Sequence, residues 1–216
     1  MSFSTWIKRL IFPPRCVLCT KVLDREAPLC ADCERELVFT GYAGARTKGE
    51  FFSGCVSPLF YDKNVRQSLL RYKFSGKSSY AEFYGALIAD CVREHYPEGF
   101  DLISWVPLSR KRLRKRGYDQ ARLLAESSAA KLGGELVPVL KKKRDIPAQS
   151  GIKGAEKRRA NVLGVYECVN AEMIRGKRIL LIDDIVTTGA TLSECARTLK
   201  MSGAGEVICA TAAKAR

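Results

Sequence analysis

The residues whose types and spacing can do chemistry lie first in Arg178 to Leu192, R-I-L-L-I-D-D-I-V-T-T-G-A-T-L. Ile179 to Ile182 are four consecutive apolar residues bounded by charge. That is too short for a buried helix, so it predicts a central strand of a parallel sheet covered on both faces. The strand is expected to stop at Asp183 and Asp184. Two carboxylates at the carboxyl end of such a strand lie where open α/β sheets bind ligands, and they suit ribose hydroxyls or a hydrated cation. Thr187, Thr188, Gly189, Ala190 and Thr191 then form a small-residue turn. Gly189 permits positive φ there, and successive N–H groups converge at the start of a helix to cradle a phosphate. An ordinary strand, acidic N-cap and helix use the same residue types. The coincidence of strand, acidic pair and T-T-G-A-T turn favours the phosphate reading.

The second constellation is Cys16-Val17-Leu18-Cys19 with Cys30-Ala31-Asp32-Cys33, two C-x-x-C pairs separated by ten residues. Four thiolates at this spacing close a tetrahedron around Zn²⁺, each pair forming a tight knuckle. The gap between the pairs is shorter than the usual four-cysteine spacing, but Pro14 and Pro28 precede both knuckles at similar offsets. A redox reading uses one C-x-x-C and leaves the other unexplained. Closed by four cysteines, the site is expected to be structural and to supply folding energy that so small a segment lacks.

The composition limits the partners. Lys and Arg number 37 against 23 acids, a formal charge of +14, which favours anions such as phosphorylated substrates, nucleic acid or acidic membrane surfaces. The excess is local. Six of the seven residues from Arg110 to Arg116 are basic, and Lys141 to Arg144 add four more. Nine cysteines in odd number, five of them isolated, and an N-terminus lacking an apolar export segment predict a reducing, cytoplasmic setting. No run approaches the ~20 apolar residues of a membrane span.

The elements that must position these groups follow in chain order. Phe3, Trp6, Ile7, Leu10 and Ile11 have the spacing of an amphipathic helix that Pro13-Pro14 stops. Its stripe is expected to pack on the rest of the molecule, the alternative being a membrane surface or a partner. Thr40 to Gly54 is rich in glycine and small polar residues and reads as a linker, dividing residues 1–50 (helix and zinc ribbon) from a domain at 51–216. Cys55 to Tyr61 reads as strand. Helices are expected over Lys63 to Lys73, with Val65, Leu69 and Tyr72 on one face, and around Phe83 to Val92. His95 reads as a solvated helix end. Asp101 to Val106 predicts another strand, which runs into the basic segment at the same rim as the Asp pair. There an anionic ligand would meet cations and backbone donors. A helix over Asp119 to Leu132 and a strand over Glu135 to Leu140 come next. Lys141 to Asn161, with Arg144, Gln149, Arg158, Arg159 and Asn161, is a long polar segment of functional or mobile type. A strand over Gly164 to Cys168, a helix over Thr191 to Ser202 and a strand over Glu206 to Ala210 complete an α/β alternation with a parallel, right-handed sheet and helices on both faces.

The stretch Ile182-Asp183-Asp184-Ile185-Val186-Thr187-Thr188-Gly189-Ala190-Thr191 resembles the phosphoribosyl pyrophosphate (PRPP) motif of type I phosphoribosyltransferases. The resemblance implies that Asp183 and Asp184 hold the ribose hydroxyls and that Thr187 to Thr191 wrap the 5′-phosphate. Taken with the four-cysteine ribbon, W-V-P-L-S-R-K-R-L-R-K-R-G-Y-D-Q from Trp105, and R-R-A-N from Arg158, nearly the whole chain is similar to the ComF family of late-competence, phosphoribosyltransferase-like proteins. The family usually shows Phe-Asn where this chain has Tyr118-Asp119. The resemblance implies a bacterial source, a type I phosphoribosyltransferase fold and, in some members, a role in handling transforming DNA.

Two readings follow. In the first the chain is an enzyme of pentosyl transfer. PRPP chemistry passes through an oxocarbenium-like state, so the protein mainly positions the sugar and neutralises the leaving group. Asp183, Asp184, the 187–191 turn, Mg²⁺ bound with PRPP, Ser109, Arg110 and Lys111 at the diphosphate and a mobile basic loop near Arg116 suffice. No stretch reads as a purine, pyrimidine or amine pocket for the acceptor. In the second the chain is a competence accessory. Its ribbon and basic segments hold single-stranded DNA or a helicase, with Tyr118 beside Arg116 stacking on a base, around a non-catalytic PRPP pocket.

Overall fold

The computed structural model describes residues 13–144 and 162–216. The expected N-terminal helix, and Gln149, Arg158, Arg159 and Asn161, lie outside the described residues. In chain order the elements are helices α1 (Ala31–Glu36) and α2 (Gly41–Ala45), strands β1 (Arg46–Thr47), β2 (Gly54–Val56) and β3 (Leu59–Phe60), helices α3 (Lys63–Phe74) and α4 (Tyr80–His95), and strand β4 (Leu102–Trp105). Helices α5 (Arg110–Arg116) and α6 (Gln120–Leu132) follow, then β5 (Leu140–Lys142), β6 (Tyr166–Cys168), α7 (Ala171–Ile174), β7 (Arg178–Val186), α8 (Ala190–Met201) and β8 (Glu206–Lys214).

The main sheet runs β1-β2-β8-β7-β4, with β3 also pairing β8. Only the β1–β2 pairing is antiparallel; β2, β3 and β7 all run parallel to β8, and β4 runs parallel to β7. Ile179 to Ile182 are fully buried at its centre, as their unbroken apolar run requires. Each such side chain contributes about 1.5–3 kcal/mol relative to an exposed one. On one face Leu180 and Ile182 meet α3, α4 and α6 through Tyr72, Tyr84, Ile88 and Leu124, and the same core continues into the cysteine segment at Val17, Leu18 and Leu29. On the other face Ile179 and Leu181 pack with Leu192, Cys195 and Leu199 of α8 and with Val139, Val165 and Tyr166. The fold is thus a mostly parallel, type I phosphoribosyltransferase-like sheet with helices on both faces.

Several expectations are corrected. β7 does not stop at the Asp pair: pairing with β8 carries it through Ile185↔Ala213 to Val186↔Lys214, because β8 itself is longer than its apolar run. The Thr40 to Gly54 segment is folded. It contains α2 and β1, Thr40 Oγ1 donates to Ser57 O at 2.7 Å, and Lys214 Nζ donates to Gly44 O at 3.0 Å. Strand structure expected over Glu135 to Leu140 is reduced to a bridge, Ile103↔Leu136; β5 begins at Leu140 and pairs antiparallel with β6. His95 is 6% exposed rather than solvated. It stacks on Tyr42 at 4.7 Å, with Nδ1 2.9 Å from Cys91 O and Nε2 3.1 Å from Tyr42 O.

Candidate functional site

The rim at the carboxyl ends of β7 and β4 gathers most of the candidate residues. Val106 N donates to Ile182 O at 2.9 Å, so the chain leaving β4 starts beside Asp183. The turn after β7 is Thr187, Thr188 and Gly189. Both threonines are exposed, while Gly189 is buried at φ +73° and serves as N-cap of α8. That φ is the conformation glycine supplies cheaply. α8 begins at Ala190, which is buried, with Thr191 half-buried behind it. The first N–H groups of a twelve-residue helix therefore open directly onto the turn, an arrangement that favours an anion. Beside Thr187 a cleft of about 550 Å³ opens between Thr47, Phe60, Val186 and Lys214.

Successive strand residues point to opposite faces. By this alternation Asp183 turns toward the side covered by α8 and Asp184 toward α3 and α6. Burial, and then the neighbouring charge of Asp184, push the Asp183 carboxyl up to about 8, although its Oδ1 accepts the Asp184 N–H at 2.8 Å. Asp184 forms an ion pair with Lys73, Nζ to Oδ1 2.8 Å, both side chains less than a fifth exposed. Lys73 comes from the last turn of α3 and was not singled out from sequence. A lysine there is ordinary, since cations favour helix C-termini, and only the tertiary structure shows that it reaches β7.

The basic segment Arg110 to Arg116 is helical rather than a loop. Ser109 is its N-cap, its buried Oγ accepting from Arg112 N at 3.3 Å, and Gly117 at φ +83° ends it in the left-handed conformation. Arg110 and Lys111 stand exposed on the first turn. Arg116, at the other end, is half-buried. It donates to Gln120 Oε1 at 2.6 Å, lies 4.8 Å from the centre of the Phe74 ring, and feels the charges of Asp184, Asp119 and Asp183. Asp119 caps α6 through Arg122 N (3.2 Å) and holds Leu108 N (3.0 Å); burial raises its pKa. Tyr118 donates its hydroxyl to Tyr72 O, a bond that phenylalanine lacks, and Tyr72 Oη donates to Gln120 O at 2.8 Å. The structure thus brings Asp183, Asp184, Arg116 and the 187–191 turn to one rim, adds Lys73, Asp119 and Gln120, and has Arg110 and Lys111 exposed on the first turn of α5.

The sulfurs of Cys16, Cys19, Cys30 and Cys33 all lie within 4.8 Å of one another. Cys19 Sγ and Cys30 Sγ are 3.7 Å apart, against about 3.8 Å for the edge of a tetrahedron with 2.3 Å Zn–S bonds. The donor set fits zinc. Burial works to raise the Cys16 thiol, but backbone hydrogen bonds at Cys19, Cys30 and Leu18 bring it down to about 7. A metal that binds thiolates benefits from such donors. The cluster is a structural zinc site, with three of its four cysteines buried.

Comparison with known proteins gives matching assignments. Residues 119–216 match the phosphoribosyl transferase domain and residues 7–46 match the double zinc ribbon domain. Competence protein ComFC of Bacillus subtilis (strain 168) is 31% identical over 143 residues, 66% of this chain and 56% of that protein. The match to ComFC of Streptococcus pneumoniae spans 62% of that protein, so the chain aligns with less than two thirds of either relative. Competence protein F of Haemophilus influenzae is 28% identical over 200 residues, 89% of this chain and 86% of that one. Among solved structures, the adenine phosphoribosyltransferase of Thermoanaerobacter pseudethanolicus is 18% identical, covering 68% of this chain and 74% of its own, with a TM-score of 0.40. A zinc ribbon followed by a phosphoribosyl transferase domain, together with ComF proteins matching along most of the chain's length, supports a ComF-family protein with an N-terminal zinc ribbon.

Proposed function

We propose that the rim of β7 and β4 binds PRPP together with Mg²⁺ and transfers its phosphoribosyl group to an acceptor nucleophile. The observation that carries this reading is the Thr187-Thr188-Gly189 turn opening onto the start of α8, with Asp184 one strand-end away. In this reading the α8 N-terminus takes the 5′-phosphate and the carboxylates of Asp183 and Asp184 take the ribose hydroxyls. Ser109, Arg110, Lys111 and Arg116 of the β4–α5 segment serve the diphosphate. Mg²⁺ bound with PRPP neutralises charge on the leaving group; it commonly uses one or two protein carboxylates and the substrate's own oxygens, a donor set that Asp183 and Asp184 can complete. The cleft beside Thr187 leaves room for an acceptor. Free cysteines and a PRPP ligand support a cytoplasmic setting in this reading; no helix among the described residues is long and apolar enough to cross a membrane.

The second reading, a DNA-handling accessory, is favoured by the outward basic face of α5 and by relatives named competence and DNA utilization proteins. Single-stranded DNA or a competence helicase is then the partner and the PRPP pocket is non-catalytic. Calorimetric titration of PRPP into the intact protein, with and without Mg²⁺, tests the proposal. Saturable, Mg²⁺-dependent binding supports it. Absence of binding at millimolar PRPP, with the fold intact by circular dichroism, removes the enzyme reading.

A further inference from the structure

Helix α3 touches both functional centres. Ser68, fully buried, donates Oγ to Val17 O at 2.7 Å, and Arg71 Nη2 donates to Leu18 O and, at 3.4 Å, to Val17 O. Val17 and Leu18 are the two residues between Cys16 and Cys19, so these carbonyls belong to the backbone of the first zinc knuckle. Ser68 and Arg71 are three residues apart and share one helix face. The adjoining face is clamped to the start of α6 by Tyr72 through Gln120 O and by Tyr118 through Tyr72 O. Lys73 follows directly, and its ammonium meets Asp184.

We infer that the first zinc knuckle holds Lys73 on Asp184, making Lys73 a positioning residue of the phosphoribosyl site and the zinc ribbon its mount. A free lysine side chain gives up rotamer entropy when it is fixed. A helix pinned on two sides removes most of the backbone freedom that would add to this. Lys73 then fixes the carboxylate that faces the ribose in the reading proposed above, on which this inference rests. Folding the ribbon around zinc is thereby coupled to the readiness of a rim built mainly by the other domain.

Two measurements on the zinc-loaded protein test the link. Amine labelling read by mass spectrometry reports whether Lys73 is held, whatever the rim binds. Labelling at Lys73 should be slow in wild type and rise about threefold or more in Arg71→Met, which keeps the side-chain stem, and in Ser68→Ala, each having lost its hydrogen bonding to the knuckle. Titration of Mg²⁺ and PRPP should show Lys73→Met weaker by about one decade, the value of a lost bond to a charged group. Arg71→Met should be weaker by a smaller factor and should retain about one zinc per chain. In a Lys73→Met background, Arg71→Met should cost nothing further.

Unchanged labelling in both knuckle variants overturns the link. So does a loss of PRPP affinity in Arg71→Met that persists undiminished in the Lys73→Met background, because the effect then bypasses Lys73. Lys73→Met binding PRPP as tightly as wild type overturns the positioning role. If labelling rises as expected while wild type binds no PRPP, the phosphoribosyl reading falls and the knuckle–Lys73 link stands. A merely structural role for Arg71 lowers the melting temperature without changing labelling at residue 73.

Discussion

Burial and the charge of Asp184 push the Asp183 carboxyl up to about 8, far above the usual carboxylate range. The unfolded chain releases the carboxyl proton near pH 4. Between these values the folded state binds more protons than the unfolded state, so this residue's contribution to stability falls as pH rises from about 4 to about 8. Asp183→Asn removes the titration. Its melting temperature relative to wild type should therefore be higher at pH 8 than at pH 5, by about 2–4 °C for each kcal/mol of relieved strain in a chain of this size. Melting curves of the two proteins in Mg²⁺-free buffer check this, and an offset independent of pH contradicts it. The acidic pair and the T-T-G-A-T turn were legible in the sequence because they are contiguous. Lys73 and Gln120 were not, because their contacts with Asp184 and Tyr72 cross 111 and 48 residues of chain that no local pattern records.

At the scale of elements, local periodicity found α3, α4, α6 and α8, whose apolar faces are regular. It failed where tertiary bonds override composition: the small-residue segment held by Lys214 and Ser57, the bridge at Leu136, and the reach of β7 past its apolar run. The basic run Arg110 to Arg116 was legible as charge but not as a helix, since its order comes from the Ser109 cap and Gly117 stop more than from an apolar stripe. Two predictions belong here. Cys16→Ser with Cys19→Ser should abolish the roughly one zinc per chain that metal analysis finds in wild type. It should also lower thermal stability, because the knuckle they close supports α3 through Ser68 and Arg71; full zinc retention refutes the ligand assignment. Alanine at both Arg110 and Lys111 should weaken diphosphate and PRPP binding at fixed salt. DNA affinity should fall only as expected for two lost charges anywhere on the surface. Unchanged PRPP binding with a large specific loss of DNA affinity reverses the assignment of α5.

For the whole molecule, the net charge of +14 and the core that the ribbon shares with one face of the sheet act together. A phosphate-binding rim gains from cations brought by several elements, here α3 and α5, and the ribbon helps to fix the first of them. The account stands or falls on whether that rim binds PRPP through Asp184 and the turn before α8. Calorimetric titration of PRPP with Mg²⁺ into wild type, Asp184→Asn and Thr188→Val tests it most directly. Asp184→Asn keeps the shape and removes the charge, so its affinity should fall by about one to two decades, the value of a lost charge-assisted hydrogen bond at roughly 1.5–3 kcal/mol. Thr188→Val leaves the backbone N–H groups of the cradle in place and should lose less. Asp184→Asn binding PRPP as tightly as wild type contradicts the central claim.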